Sequence, residues 1–264
     1  MPSKDRQLAL SAVITTFNNA DTLERCLASL SYTGQPLTDE ILVLDSGSTD
    51  GTVATALSHG ARIETRAFDN YSQQKQYAIN QAGYDWVLLL DADEWLAENL
   101  QANLYRWLRK TPRAEAYRLQ RREWLLWRWQ HPWSKPVTPI RLFNRRQTRM
   151  NEVPVHAALI CSGKVETLPG DLLHSGEADL HTKVEKINTY SSGQAQWRQS
   201  RKWLRLRMFF YPWFAFWREY LLRRQFLNGW AGFMAARSAA FYAFLKYAKA
   251  YELNRSGQGS DQSE

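Results

Sequence analysis

Three carboxylates, Asp91, Asp93 and Glu94, stand together directly after the apolar run Val87-Leu88-Leu89-Leu90. Asp91 and Asp93 are two residues apart, so an extended backbone puts them on one face and a turn can aim both at one point. Carboxylates held that close repel each other unless a positive charge lies between them. Oxygen donors of this kind suit a hard divalent cation, Mg²⁺ or Mn²⁺, and the pattern points to a metal site that holds a phosphorylated substrate. His156 and His174 are of a type that can orient phosphate or complete a metal shell, and Arg121, Arg122, Arg141, Arg145, Arg146 and Arg149 offer planar forks matched to phosphate.

The elements around these residues predict how they are positioned. Four consecutive large aliphatics ending in a polar stop read as a strand buried on both faces, and ligands of open α/β sheets gather beyond the carboxyl ends of such strands. Leu8 to Thr16 reads as an earlier strand, followed by a helix that Asp21 can cap. Glu40 to Leu44 is a second strand, ending at the turn-forming run Asp45-Ser46-Gly47-Ser48-Thr49-Asp50-Gly51. Ala61 to Thr65 is a third, and Ser72 to Ala82 a helix. This β-α-β-α-β-α-β order predicts an α/β fold with a mostly parallel sheet and right-handed crossovers. Further on, Leu96 to Leu108 reads as a helix, Ala116 to Trp129 as one or two strands, His131 to Pro139 as a loop, and Ile140 to Asn144 and Ala157 to Cys161 as short strands.

At 264 residues the chain can bury a sizeable core, and its net charge of +8 conceals a division. Residues 1–100 hold 6 Lys and Arg against 14 Asp and Glu, net −8, whereas residues 101–264 hold 28 against 12, net +16. Ten of the twelve tryptophans also lie in the second part. Cys26 and Cys161 fit no metal or redox spacing, which suggests a reducing compartment, and the polar start predicts no signal peptide. The boundaries expected are a catalytic domain over 1–178, divided into 8–95 and 96–178, then a basic, aromatic-rich helical region over 179–255 and a disordered tail over 256–264.

The buried strand ending in Asp91-Ala92-Asp93-Glu94, preceded by one ending in Asp45-Ser46-Gly47-Ser48-Thr49-Asp50-Gly51, resembles the family 2 glycosyltransferases and their nucleotide-diphospho-sugar-binding GT-A fold, over roughly Ser11 to Glu94. The resemblance implies that Thr16-Phe17-Asn18 forms the nucleotide loop, that Asp45 takes the uracil edge, and that Lys75 contacts the pyrophosphate. It also implies that Asp91 lies near ribose and metal and that Asp93 is the direct metal ligand. Trp86 to Trp95, Arg141-Leu142-Phe143, Val155-His156 and His174 are similar to the lipopolysaccharide core glycosyltransferases that add glucose to inner-core heptose. A UDP-sugar donor, a lipopolysaccharide core acceptor and a β linkage are thereby implied. Ala157 stands where that subgroup often has glutamate; Glu152, which precedes a strand in the half expected to face the acceptor, is the first candidate for the general base, ahead of Glu94 and Asp171. His156, His174 and Arg141 are implied as acceptor or phosphate contacts.

Two other classes compete. A phosphatase with an aspartate nucleophile also places Asp-x-Asp after a strand, but near the N-terminus and with Thr or Val two residues on, where this chain has Trp95. A nucleic-acid-binding protein would use the basic second part, yet no recognisable binding motif accompanies it, so no nucleic acid is expected. Instead, arginines interleaved with aromatics over Trp197 to Tyr251 predict helices lying on an anionic membrane surface. The run Met208 to Trp217 is too short to span a bilayer, and Phe226 to Leu245 carries Asn228 and Arg237. The enzyme is accordingly expected to be cytoplasmic and peripheral on the inner face of a bacterial inner membrane.

Overall fold

The computed structural model describes residues 7–152, 157–176, 179–196, 198 and 202–259. The chain falls into two units, one formed by residues up to Arg122 with Val137–Ser175, the other by Glu123–Pro136 with Gly176 onward.

In the first unit β1 (Leu10–Thr16) leads into α1 (Ala20–Ala28), then a small hairpin of β2 (Ser31–Tyr32) and β3 (Gln35–Pro36). β4 (Glu40–Asp45), α2 (Thr52–Ser58), β5 (Arg62–Thr65), α3 (Tyr71–Gln81) and β6 (Trp86–Asp91) complete the alternating part. β7 (Glu94–Leu96), α4 (Glu98–Trp107), β8 (Ala116–Leu125), β10 (Ile140–Asn144), β11 (Thr148–Met150), β12 (Leu159–Cys161) and β13 (Val165–His174) follow, while the end of β8 and the short β9 (Arg128–Trp129) fall in the second unit.

The main sheet runs β5-β4-β1-β6-β10-β8-β13-β7, with β9 paired to β8. β5, β4, β1 and β6 are parallel, as the alternating order predicts, while β10 joins the free edge of β6 antiparallel and continues antiparallel into β8. Val87, Leu88, Leu89 and Leu90 of β6 are at most 1 % exposed because helices cover both faces. Each such side chain contributes about 1.5–3 kcal/mol by leaving water, so register in this strand is firmly set. Register then places Thr16 beside Asp45 and Thr15 beside Asp91, bringing three strand ends to one edge of the sheet.

Strand β13 was not predicted, since its Pro169 and Gly170 are turn signals in a sequence. Gly170 sits at φ +117°, and a Cβ there would lie 2.5 Å from the Leu100 Cα, so only glycine lets this strand pass α4.

In the second unit α5 (Leu180–Gln196), α6 (Leu204–Trp217), a π-helical turn (Arg218–Leu222), a 3₁₀ turn (Gln225–Asn228) and α7 (Gly229–Gly259) pack together. Glu123–Pro136, expected in the catalytic domain, belongs here. His131 N donates to Asn228 Oδ1 (2.6 Å) and Ser134 Oγ to the Arg224 carbonyl (3.1 Å), bonds between segments too distant in sequence for periodicity to reveal. α7 also extends past Arg255, the expected limit of the helical region, with the Ser256 hydroxyl donating to the Glu252 carbonyl (3.0 Å). Among the described residues no helix is long and apolar enough to cross a membrane.

Candidate active site

The loop after β1 is held by the loop after β4. Asn18, at φ +51°, donates its N–H to Ser48 Oγ (2.9 Å) and accepts from Thr49 N–H through Oδ1 (2.9 Å). Asparagine is among the few residues that tolerate this left-handed backbone. Asp45, buried at the end of β4, accepts from Gly47 N–H (2.9 Å), Ser48 N–H (2.8 Å) and the Ser48 hydroxyl (2.5 Å), which fixes the turn. Thr16 is buried beside it, and Phe17 is 56 % exposed at the loop tip.

Helix α3 enters from the side. Asn70 caps it by accepting from Gln73 N–H (3.0 Å), and buried Gln74 donates to Ser46 Oγ and to the Arg66 carbonyl, both at 3.0 Å. Those bonds anchor the helix, and the next residue, Lys75, reaches Asp91 Oδ1 as an ion pair. On the other side of Asp91, Arg141 of β10 places Nη2 2.8 Å from Oδ2 and 2.6 Å from Glu94 Oε1. Burial alone would raise the Asp91 carboxyl, but Lys75, Arg141 and Arg121 outweigh it and hold Asp91 far below the usual carboxylate range.

Glu94 is fully buried beneath the turn. It accepts from Asp91 N–H (3.1 Å), Arg141 (2.6 Å) and Arg121 Nη1 (3.2 Å), joining β6, β8 and β10 at one carboxylate. Cys26 Sγ lies 3.9 Å from the Asp91 carbonyl, and burial, followed by the charges of Glu94, Asp93 and Asp91, pushes its thiol up.

Asp93 has a separate partner. The antiparallel register of β7 and β13 sets His174 opposite Glu94, and His174 Nε2 comes within 3.2 Å of Asp93 Oδ2. Neighbouring ligands in an octahedral shell with bonds of about 2.0–2.1 Å lie about 3 Å apart, so this oxygen and nitrogen fit one edge of such a shell. Among the described residues there is no cluster of three His, Cys, Asp or Glu side chains placed to hold a metal. Asp93 and His174 are the two side chains here that could hold a divalent ion.

Thr16, Asn18, Asp45, Lys75, Asp91, Arg141, Asp93 and His174 thus lie on neighbouring elements at one edge of the first unit. Arg141, expected as a phosphate or acceptor contact, is only 7 % exposed and clasps two carboxylates. Glu152 is exposed, one residue past the Asn151 that bonds Ser72 on α3 (3.2 Å). His156 lies outside the described residues. The role of Glu94 as a shared acceptor, and the place of Arg121 beneath the turn, are tertiary facts with no local sequence signal.

The family model for glycosyl transferase family 2 matches residues 11–164, more than half of the chain. The chain belongs to glycosyltransferase family 2. It is 32 % identical over 256 residues to the lipopolysaccharide core biosynthesis glycosyltransferase LpsC of Rhizobium meliloti (strain 1021), covering 93 % of each. It is 29 % identical over 260 residues to the uncharacterized glycosyltransferase RT0209 of Rickettsia typhi, covering 93 % of this chain and 87 % of that one. Among solved structures, it is similar to glucosyl-3-phosphoglycerate synthase from Mycobacterium tuberculosis in complex with Mn²⁺, UDP and glucosyl-3-phosphoglycerate, at 23 % identity and a TM-score of 0.35 over 45 % of each chain. Membership of the family agrees with the fold expected from the motifs, and Thr16, Asp45 and Asp91 sit where the parallel strands end.

Proposed function

We propose that this enzyme is an inverting hexosyltransferase that moves glucose from UDP-glucose to an inner-core heptose of lipopolysaccharide, forming a β linkage. The observation that carries the reaction type is the meeting of Asp45, Lys75 and the Asp91–Glu94 turn at one sheet edge. The acceptor class follows its 32 % identical relative, a lipopolysaccharide core biosynthesis glycosyltransferase.

In this reading the nucleotide lies along Thr16, Phe17, Asn18 and Asp45, with Asp91 near the ribose. Asp93 and His174 would hold a divalent cation, which when bound would neutralise charge on the departing diphosphate. Lys75 and Arg141 add positive charge beside it, and their bonds to Asp91 hold that carboxylate ionised before the donor arrives. The acceptor hydroxyl gives its proton to Glu152, which is exposed, whereas Glu94 is enclosed by arginines. Asp171 is the second candidate base, with Oδ2 3.2 Å from Arg122 Nη1. His156, by its place four residues after Glu152, is assigned to the acceptor side. The catalytic domain is proposed to meet the membrane from the cytoplasmic face, where a lipid-anchored acceptor resides.

The test is a thermal-shift screen of UDP-glucose, UDP-galactose, UDP-N-acetylglucosamine and GDP-mannose with and without Mn²⁺, followed by transfer to heptose-terminated core. A ligand at 100 times its Kd stabilises by about 2.7 kcal/mol. UDP-glucose should raise the melting temperature most, and more with Mn²⁺. Equal response to every donor, or metal-independent stabilisation that Asp93→Ala leaves intact, would sink the proposal.

A further inference from the structure

The second unit leaves a continuous apolar surface in water. Leu206, Phe209, Phe210, Trp213, Phe214 and Trp217 of α6 are 47–66 % exposed. At 100° per residue these six fall on one side of the helix, with Leu204, Met208 and Ala215 on the other. That second side is the packed one. Leu204 and Met208 join a small core with Tyr247 and Ala250, and Tyr211 meets the Tyr247 ring edge-on at 5.0 Å. Among the described residues of its unit no other helix covers this exposed side, and patches of this character on a folded protein mark interaction surfaces.

Charge selects the occupant. Residues 202–259 hold ten Lys and Arg against two glutamates, with Arg205, Arg207 and Arg218 on α6 or its flank. A second copy docking through the same face would set these guanidinium groups against their equivalents, because a two-fold contact is self-complementary. An anionic lipid surface accepts both the aromatics and the cations. With 14 residues α6 is about 21 Å long, short of the roughly 30 Å hydrocarbon core, so it lies in the plane of the interface.

We propose that α6 is the docking element of this enzyme on an anionic phospholipid bilayer, its Leu206-to-Trp217 face entering the headgroup–acyl boundary while the flanking arginines stay at phosphate level. This deepens the reading of a lipid-anchored acceptor and rests on it for its purpose. Flotation of the full chain with phosphatidylglycerol vesicles, against phosphatidylcholine vesicles, tests it. The intact protein should bind the anionic vesicles at low salt and leave them at high salt. Trp213→Ser with Trp217→Ser should weaken binding about tenfold or more, since two large rings lose their apolar burial. Both proteins should transfer equally to a water-soluble, delipidated core oligosaccharide. Should the double variant melt early, Arg205→Glu with Arg207→Glu provides the same reading through charge.

Intact protein that stays off anionic vesicles overturns the proposal, as does a folded double variant that binds like the parent. A dimer that the double variant abolishes, without vesicle binding, would assign the face to a second copy. Vesicle binding with no transfer to any acceptor defeats the proposed reaction and leaves the docking surface standing. Transfer to soluble acceptor without vesicle binding does the reverse.

Discussion

Replacing Glu94 by alanine takes one shared acceptor away from three donors. Arg141, 7 % exposed, keeps only its bond to Asp91, Arg121 loses its contact with Glu94, and the Asp91 N–H loses its acceptor. Breaking a buried ion pair by deleting one partner costs about 3–5 kcal/mol, because the remaining charge cannot return to water. An orphaned buried N–H adds about 1–3 kcal/mol if no water reaches it. Glu94→Gln keeps the volume and an acceptor oxygen, so it should lose less than the alanine variant. Urea unfolding followed by fluorescence measures both, with the shift in midpoint read at constant slope. A cycle with Arg141→Met should return a coupling of about 0.5–3 kcal/mol, as expected for groups sharing one network. If Glu94→Ala costs less than about 1 kcal/mol, the shared-acceptor account of this turn is wrong. A Glu94→Gln cost near zero would mean that charge plays no part.

Glu152→Gln should lower kcat by roughly 10²–10⁴-fold while donor affinity is retained, since the amide matches the size but cannot take a proton. Near-normal kcat would transfer the role of base to Asp171. At the opposite end of the sheet, burial raises the Glu40 carboxyl, but bonds from the Ser11 hydroxyl (2.5 Å), Gly83 N–H (2.6 Å) and Arg62 (2.8 Å) outweigh it and leave it below its ordinary range. A lowered carboxyl stabilises above the unfolded value of about 4.3 and loses that contribution as pH falls through the folded value. Glu40→Gln should therefore cost about 1–2 kcal/mol at pH 7 and little at pH 3 by urea unfolding, and an equal cost at both pH values would refute the linkage.

Much of the first unit was legible because strands covered on both faces announce themselves as unbroken apolar runs, and the loops that end them are rich in turn formers. Asp91, Asp93 and Asp45 could be picked out for the same reason: each ends such a run. Strands β7 and β13 were not legible, because β7 is three residues long and β13 carries a proline and glycine that tertiary packing against α4 accommodates. The partnership of Asp93 with His174 follows only from the pairing of β7 with β13, which sets His174 opposite the neighbouring Glu94 and which no local pattern encodes. Arg141 looked like one basic residue among six in a charged stretch. Its burial depends on β10 lying against β6, a long-range contact that charge patterning cannot report.

Strand β6 is a seam between two kinds of sheet, paired parallel with β1 along one edge and antiparallel with β10 along the other. Parallel neighbours require long crossovers and so tie their helices to the sheet, whereas antiparallel neighbours can be joined by short loops of variable sequence. Strands β8, β13 and β7 lie beyond this seam, yet they bring Arg121, His174 and Glu94 to the turn that ends β6, so variation on that side is confined to the loops and must leave these three residues in place.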